Sequence, residues 1–465
     1  MEKPIKSFCI IWLSALIFVG ISVPMDQLWA KAIDKTEEEK KEWFLDHLFS
    51  ITEVMVTDVA SPPGAARFYS YSLLAAYIIQ SDLTGTLHQS PLLKNPGKPA
   101  LFSSPDHIDK HQLDKDFCSI YGMLEVGKGI MPSGKNLAKS QEKLIRQFRK
   151  AKILGSREID INVRYAQEMA SQVLDYAKSD GYNQLSTLKR YMPSPKEGRW
   201  YPTPPAYMAA VEPEWRTIRT FFIDELKDFA PPAPAVFTMD EGSPFHDQVF
   251  EVYHVTENLS DEQKLIANFW DCNPFNVTYS GHMAIGIKKI SPGGHWIGIT
   301  GIASRKAGLS MEETIYIHTL VAMGLHDAFV SCWEEKYKSD RIRPITAINK
   351  HIDPAWQPLL QTPPFPEYTS GHSVISKTSA VILTDYFGEN FDFIDTSEVY
   401  FGLPERAFGS FFQAADEAAI SRLYGGIHFR DAIEVGVAQG EKIGQFILEK
   451  VKSESILLGK SKSDK

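Results

Sequence analysis

Apolar residues recur three and four positions apart over 40–59, 64–80, 136–153, 157–178, 212–228 and 308–336. That spacing stacks them on one face of an α-helix, and each stretch predicts one. Gly and Pro interrupt the pattern at intervals. No run alternates apolar and polar residues over the length of a strand, and no fixed period repeats, which excludes a solenoid. The expectation is an all-α protein of helical bundles. Two Pro-rich stretches, 191–213 and Pro231-Pro232-Ala233-Pro234, predict long extended connections. They divide a helical half at 33–235 from a second at 236–452, with a flexible tail at 453–465. Both stretches lie among Trp and Tyr, so they are expected to pack across the surface.

The N-terminus follows a different rule. Lys3 and Lys6 precede an apolar run from Phe8 to Val23, and Ala30 and Ala32 form an A-x-A-like end. This is the layout of a secretory signal peptide over residues 1–32, the apolar run being short for a membrane span. The mature chain is therefore expected beyond the inner membrane, periplasmic or extracellular, without stable membrane association. At 465 residues, 43% hydrophobic and 23% charged, the composition is that of a compact soluble protein. A net charge of −9 excludes the electrostatic footprint of a nucleic-acid binder, so any anion must be held by a local cluster. Past the leader, Cys118, Cys272 and Cys332 remain; their odd number and lack of CxxC spacing argue against a disulfide framework or a zinc site.

Candidate chemistry concentrates between Trp333 and Asp431. Lys336, Lys338, Arg341 and Arg343 fall within eight residues, ahead of Pro344. Lys336 and Arg343 are two helical turns apart and could share a face, suiting a multiply charged oxyanion; the plainer alternative is a solvated basic helix end. Next, Pro363-Pro364-Phe365-Pro366-Glu367-Tyr368-Thr369 leads into Ser370-Gly371-His372 and a helical run. A Ser-Gly helix start offers a hydroxyl and free amides to an anion, with His372 placed for proton transfer. An ordinary Ser cap with a surface His is the plainer alternative. Last, Ser421-Arg422 and His428 flank Gly425-Gly426, which breaks the helix and lets Arg422 and His428 turn into one pocket. Tyr279-Ser280-Gly281-His282 repeats the Ser-Gly-His string without the Pro-rich approach and is read as a helix cap.

Together, Lys-x6-Arg-Pro, Ser-Gly-His and Ser-Arg-x5-His resemble the signature joining type 2 phosphatidic acid phosphatases with vanadium-dependent haloperoxidases, in particular the bacterial iodoperoxidases. Segments 58–69, 269–274 and 293–296 look like framework of that family. The resemblance implies one vanadate per subunit bound through His428, with Lys336, Arg343 and Arg422 on its oxygens and Ser370 and the Gly371 amide completing the shell. His372 becomes the acid–base group, and Trp333 and Phe365 line the halide side. Hydrogen peroxide and halide, iodide foremost, are the implied substrates, with small organic molecules as further acceptors. Two positions depart from the pattern: Thr369 stands where Pro is usual, and Ala432 where the broader motif has Asp, with Asp431 one residue early. A phosphatase working through a phosphohistidine at His428 uses the same pocket. A periplasmic protein sequestering phosphate or vanadate would use the same cations without needing His372.

Overall fold

The computed structural model describes residues 25–87, 92 and 102–463. The charged and apolar parts of the expected leader, up to residue 24, lie outside the described residues. Thirteen α-helices account for most of what is described: α1 (Met25–Asp58), α2 (Pro62–Leu83), α3 (Lys115–Ile130), α4 (Ala138–Lys150), α5 (Ser156–Lys178), α6 (Pro244–Glu257), α7 (Asp261–Phe269), α8 (Pro292–Lys306), α9 (Met311–Ser339), α10 (Pro344–His351), α11 (Gly371–Phe387), α12 (Phe411–Tyr424) and α13 (Arg430–Ser463). The segment read as a tail continues α13 as far as Ser463. Several starts are written in the chain: Ser61, Ser243 and Ser291 each cap a helix whose first residue is Pro, the hydroxyl taking an amide two or three residues into the first turn.

One continuous apolar core joins helices of both halves, from α1 and α2 through α9 to α11 and α13. Helix α9 is long and apolar enough to cross a membrane by composition, yet it is almost wholly buried inside this bundle. The Pro-rich connections lie against the helices, where Trp200 and Trp215 are fully buried.

Two expectations fail, each for a physical reason. Residues 212–228 form no α-helix, only 3₁₀ turns at Trp215–Thr217 and Leu226–Phe229. Trp215, Ile218 and Phe222 are buried as the helical spacing required. Their backbone, however, is satisfied from outside: Asp327 on α9 accepts the amides of Phe221, Phe222 and Ile223 at 2.7, 2.7 and 3.0 Å. The Tyr279–His282 string caps no helix. It closes an exposed antiparallel hairpin of β1 (Val277–Ser280) and β2 (Met283–Gly286), with Gly281 at φ +59°. A second short pair, β3 (Phe393–Asp395) and β4 (Arg406–Phe408), packs beside α8. Strands of three or four residues carry too little alternation to register as a pattern.

Helices α11 and α13 pack closely. Gly436, Gly440 and Gly444 form a stripe on α13, and a side chain on Gly440 would begin 2.2 Å from the Val374 carbonyl oxygen. This close approach ties the start of α11, with Ser370 and His372, to the start of α13, just after His428. Replacing Gly440 with Ala is expected to cost about 1–3 kcal/mol of stability by overpacking, read as a lower midpoint of urea unfolding. An unchanged midpoint would show that the helices can part without penalty.

Candidate active site

Three chain breaks bring the site residues together. Helix α9 carries Trp333 and Lys336 and stops at Asp340, which adopts a left-handed conformation (φ +52°). The chain then turns, and Arg343 becomes the residue before Pro344 of α10. Lys336 and Arg343 thus converge across a turn, not along one helix face as their seven-residue spacing suggested. Ser370 caps α11, its hydroxyl accepting the Ser373 amide at 3.4 Å, and His372 sits in the first turn. Helix α12 ends just after Arg422, and Gly426 at φ +71° reverses the chain so that His428 returns to the same place.

Between these segments is a narrow cavity of about 30 Å³, walled by Trp333, Phe365, Gly371, His372, Arg422 and His428. Lys336 and Arg343 stand immediately beside that wall. Arg343 Nη1 lies 3.2 Å from His428 Nε2 and also donates to the Ile427 carbonyl at 2.8 Å, while its Nε donates to the Phe365 carbonyl at 2.9 Å. Lys336 Nζ donates to the carbonyls of Pro366, Glu367 and Thr369 at 3.1, 3.1 and 2.6 Å, holding the Pro-rich approach in place. Arg422 Nε donates to Ser421 Oγ at 2.9 Å. Phe365 lies between two of the cations, its ring centre 5.1 Å from both Lys336 Nζ and Arg343 Cζ, and 4.9 Å from the Trp333 ring. Trp333 spends its indole N–H on the Val211 carbonyl, at 3.3 Å.

Lys338 and Arg341 take no part in the cavity. Lys338 is solvated and paired with Glu335, and Arg341 is spent on Glu367 and Asp431. The plainer reading of that basic run holds for one of its four cations.

Burial governs the charges. It pushes Lys336 down to about 7 and Arg343 to about 10, and it lowers Arg422 as well. Burial, reinforced by the nearby Arg residues, holds His372 and His428 well below the ordinary histidine range, so both rings are neutral at physiological pH. Arg343 Nη2 and His372 Nε2 are buried with no hydrogen-bond partner among the described residues. Gly371 leaves open the space where a side chain would come within 4.0 Å of Trp333 and Lys336. A buried group of three guanidinium or ammonium donors, two unsatisfied nitrogens and a side-chain-free helix start fits a small tetrahedral oxyanion.

Two features were missed in the sequence. Glu367 is fully buried, with Oε1 2.8 Å from His428 Nδ1, accepting the Phe429 amide at 2.9 Å, and Oε2 3.3 Å from Arg341. The only hint was an acidic residue embedded in the apolar approach Phe365-Pro366-Glu367-Tyr368. Behind the opposite wall, His295 lies 2.7 Å from Asp395, 3.1 Å from Glu398 and 3.4 Å from Cys272 Sγ, and stacks on Trp270 at 4.4 Å. Burial opposes charge on this imidazole, but Asp395, Cys272 and Glu398 together raise it well above its ordinary value. Cys272, His295 and Glu398 have the donor types of a metal site, but the imidazolium is already paired with Asp395, and burial pushes Glu398 up to about 7. All three cysteines past the expected leader are free and buried.

Comparison with known proteins decides the family. Over 88% of its length the chain superimposes on 96% of a bacterial vanadium-dependent iodoperoxidase, with 39% identity and a TM-score of 0.78. The chain belongs to the vanadium-dependent haloperoxidases. It is an enzyme of that peroxidase family, and the family's second helical-bundle domain, described as that of VCPO, matches residues 316–455, the span of all three site segments. Holo and apo forms of a bacterial vanadium-dependent chloroperoxidase share the fold at 16% and 15% identity. Their TM-scores are 0.63 and 0.61, and they cover 85% and 84% of this chain and 93% of each of theirs. No curated protein sequence matches the chain.

The lowered Lys336 makes anion binding to this haloperoxidase pH-dependent. An oxyanion favours the ammonium form, so binding is full below about pH 7 and weakens as pH rises above it, by up to about tenfold per unit. Sulfate, whose own charge is constant here, is the probe for calorimetry between pH 6 and 9. Lys336→Met is expected to flatten the profile. A wild-type affinity independent of pH would contradict the burial argument.

Proposed function

We propose that this haloperoxidase oxidises iodide with hydrogen peroxide, using one vanadate per chain bound at Nε2 of His428. The observation that carries the proposal is the convergence of Trp333, His372, Arg422 and His428, from three separated segments, on one cavity, with Arg343 against His428 Nε2 and the nitrogens Arg343 Nη2 and His372 Nε2 buried without a partner among the described residues. Iodide as substrate rests on the 39% identity to an iodoperoxidase. When bound, vanadate supplies a Lewis-acidic centre that activates peroxide for two-electron oxidation. The net reaction, H₂O₂ + I⁻ + H⁺ → HOI + H₂O, requires protons to be moved in the cavity.

The residues divide the work. Lys336, Arg343 and Arg422 neutralise the oxyanion, and the Gly371 amide at the start of α11 adds the helix's own partial charge. Ser370 Oγ accepts an amide and keeps its proton to donate. His372, neutral and with Nε2 free of any partner, accepts a proton at that atom from incoming peroxide and returns it to the departing product. The rings of Trp333 and Phe365, flanked by cations, give a large, weakly hydrated halide an apolar wall. The N-terminal charged-apolar-small pattern supports a place outside the inner membrane.

Triiodide absorbance measured with iodide and peroxide, before and after vanadate is added to stripped protein, tests the proposal. Activity is expected only after loading. Rapid p-nitrophenyl phosphate hydrolysis with no iodide oxidation would instead support the phosphatase. Replacing His372 with Ala is expected to lower kcat roughly 10²–10⁴-fold while vanadate affinity stays within a few-fold. Unchanged kcat would remove His372 from proton transfer.

A further inference from the structure

The ring of His428 has two nitrogens, and their partners fix which one carries the proton. Arg343 can only donate, so Nε2, 3.2 Å from its Nη1, is an acceptor and bears a lone pair. The proton therefore sits on Nδ1, 2.8 Å from Oε1 of Glu367. That same oxygen accepts the Phe429 amide at 2.9 Å, and Oε2 faces Arg341, so both carboxylate oxygens are acceptors. Glu367, Arg341 and Arg343 are each within 4% of complete burial, so nothing else can take the Nδ1 proton without moving the approach loop. The neighbouring acid on α13 is committed elsewhere: Asp431 takes Arg341 and the Ala235 amide. Position 432, where the broader motif carries Asp, is an Ala whose carbonyl accepts the Ser370 amide.

We infer that Glu367 is the positioning residue for His428: it locks the tautomer that presents Nε2 to the cavity, and so lets the chain prefer an oxyanion that bonds to nitrogen over one held by charge alone. The carboxylate that orients the ligand comes from the Pro-rich approach loop, not from the helix after His428. The arrangement is that of a carboxylate–histidine–metal relay, in which the outer carboxylate raises the basicity of the ligand and fixes its orientation. Glu367 also sets one negative charge among Arg341, Arg343 and Lys336. It therefore opposes binding by charge while favouring binding by the imidazole.

That opposition gives a test separating a positioning role from a merely structural one. The inference rests on vanadate as the proposed ligand, and phosphate serves as the matched oxyanion that the same cations hold without a lasting bond to nitrogen. Dissociation constants for orthovanadate and for inorganic phosphate are measured by equilibrium dialysis on stripped full-length protein at pH 8. In Glu367→Gln, vanadate is expected to bind roughly 10–100-fold more weakly, while phosphate stays within about threefold or tightens. The vanadate-to-phosphate ratio should fall toward that of His428→Ala, and adding E367Q to that variant should not lower it further. Equal weakening of both anions would make Glu367 structural, and an unchanged ratio would overturn the inference. Should E367Q not fold, Glu367→Asp keeps the charge beside Arg341 but draws it back from Nδ1. It is expected to lower the ratio at least threefold, and an unchanged ratio there is equally fatal. Wild-type protein with no preference for vanadate would defeat the vanadate reading itself, a result distinct from failure at Glu367.

Discussion

Burying several positive charges in one place is the constraint around which the C-terminal half is organised. Lys336, Arg343 and Arg422 are removed from water almost completely, a cost that only hydrogen bonds and countercharge can offset. The chain answers it with backbone. Lys336 spends three donors on three carbonyls of one loop, and Arg343 spends two on the carbonyls of Phe365 and Ile427. The donors that hold the charges in place also fix the loop and the helix ends. The fold of this region and the electrostatics of its cavity are therefore one problem with one solution.

That solution explains the neighbouring chemistry. Burial, reinforced by the neighbouring cations, keeps both histidines neutral, as the proposed ligand nitrogen and proton acceptor must be. Glu367 is a buried acid facing His428, and Arg341 pins it from behind. The His295 group on the far side is paired with Asp395 and Glu398 and meets the cavity through Cys272, a neutral thiol whose ionisation burial disfavours, while the His295 charge adds to those that lower His372. The close packing of α11 on α13 holds the two histidine-bearing segments in register, so the glycine stripe on α13 bears on the site as well as on stability.

Much of this was legible in the chain because the signals are local. Helix faces announce themselves by spacing, and the breaks at Pro344, at Ser370-Gly371 and at Gly425-Gly426 mark where the site segments turn. Illegible features depend on partners distant in sequence. The 212–228 segment has a helix's apolar spacing but gives its amides to Asp327, over a hundred residues away. Lys336 and Arg343 looked like neighbours on one face, whereas Asp340 turns the chain between them. Which of four adjacent cations came to stand beside the cavity was settled by Glu335, Glu367 and Asp431, the acids that claimed Lys338 and Arg341. Glu367 carried no motif, and its role exists only once the loop folds back on His428.

The proposed function turns on whether His428 offers its nitrogen to a metal oxyanion beside these cations. X-ray absorption at the vanadium K-edge of the loaded protein tests it most directly. One imidazole nitrogen is expected among oxygen neighbours, absent from His428→Ala loaded in the same way. A shell of oxygen alone, or one containing the sulfur of Cys272, would contradict it.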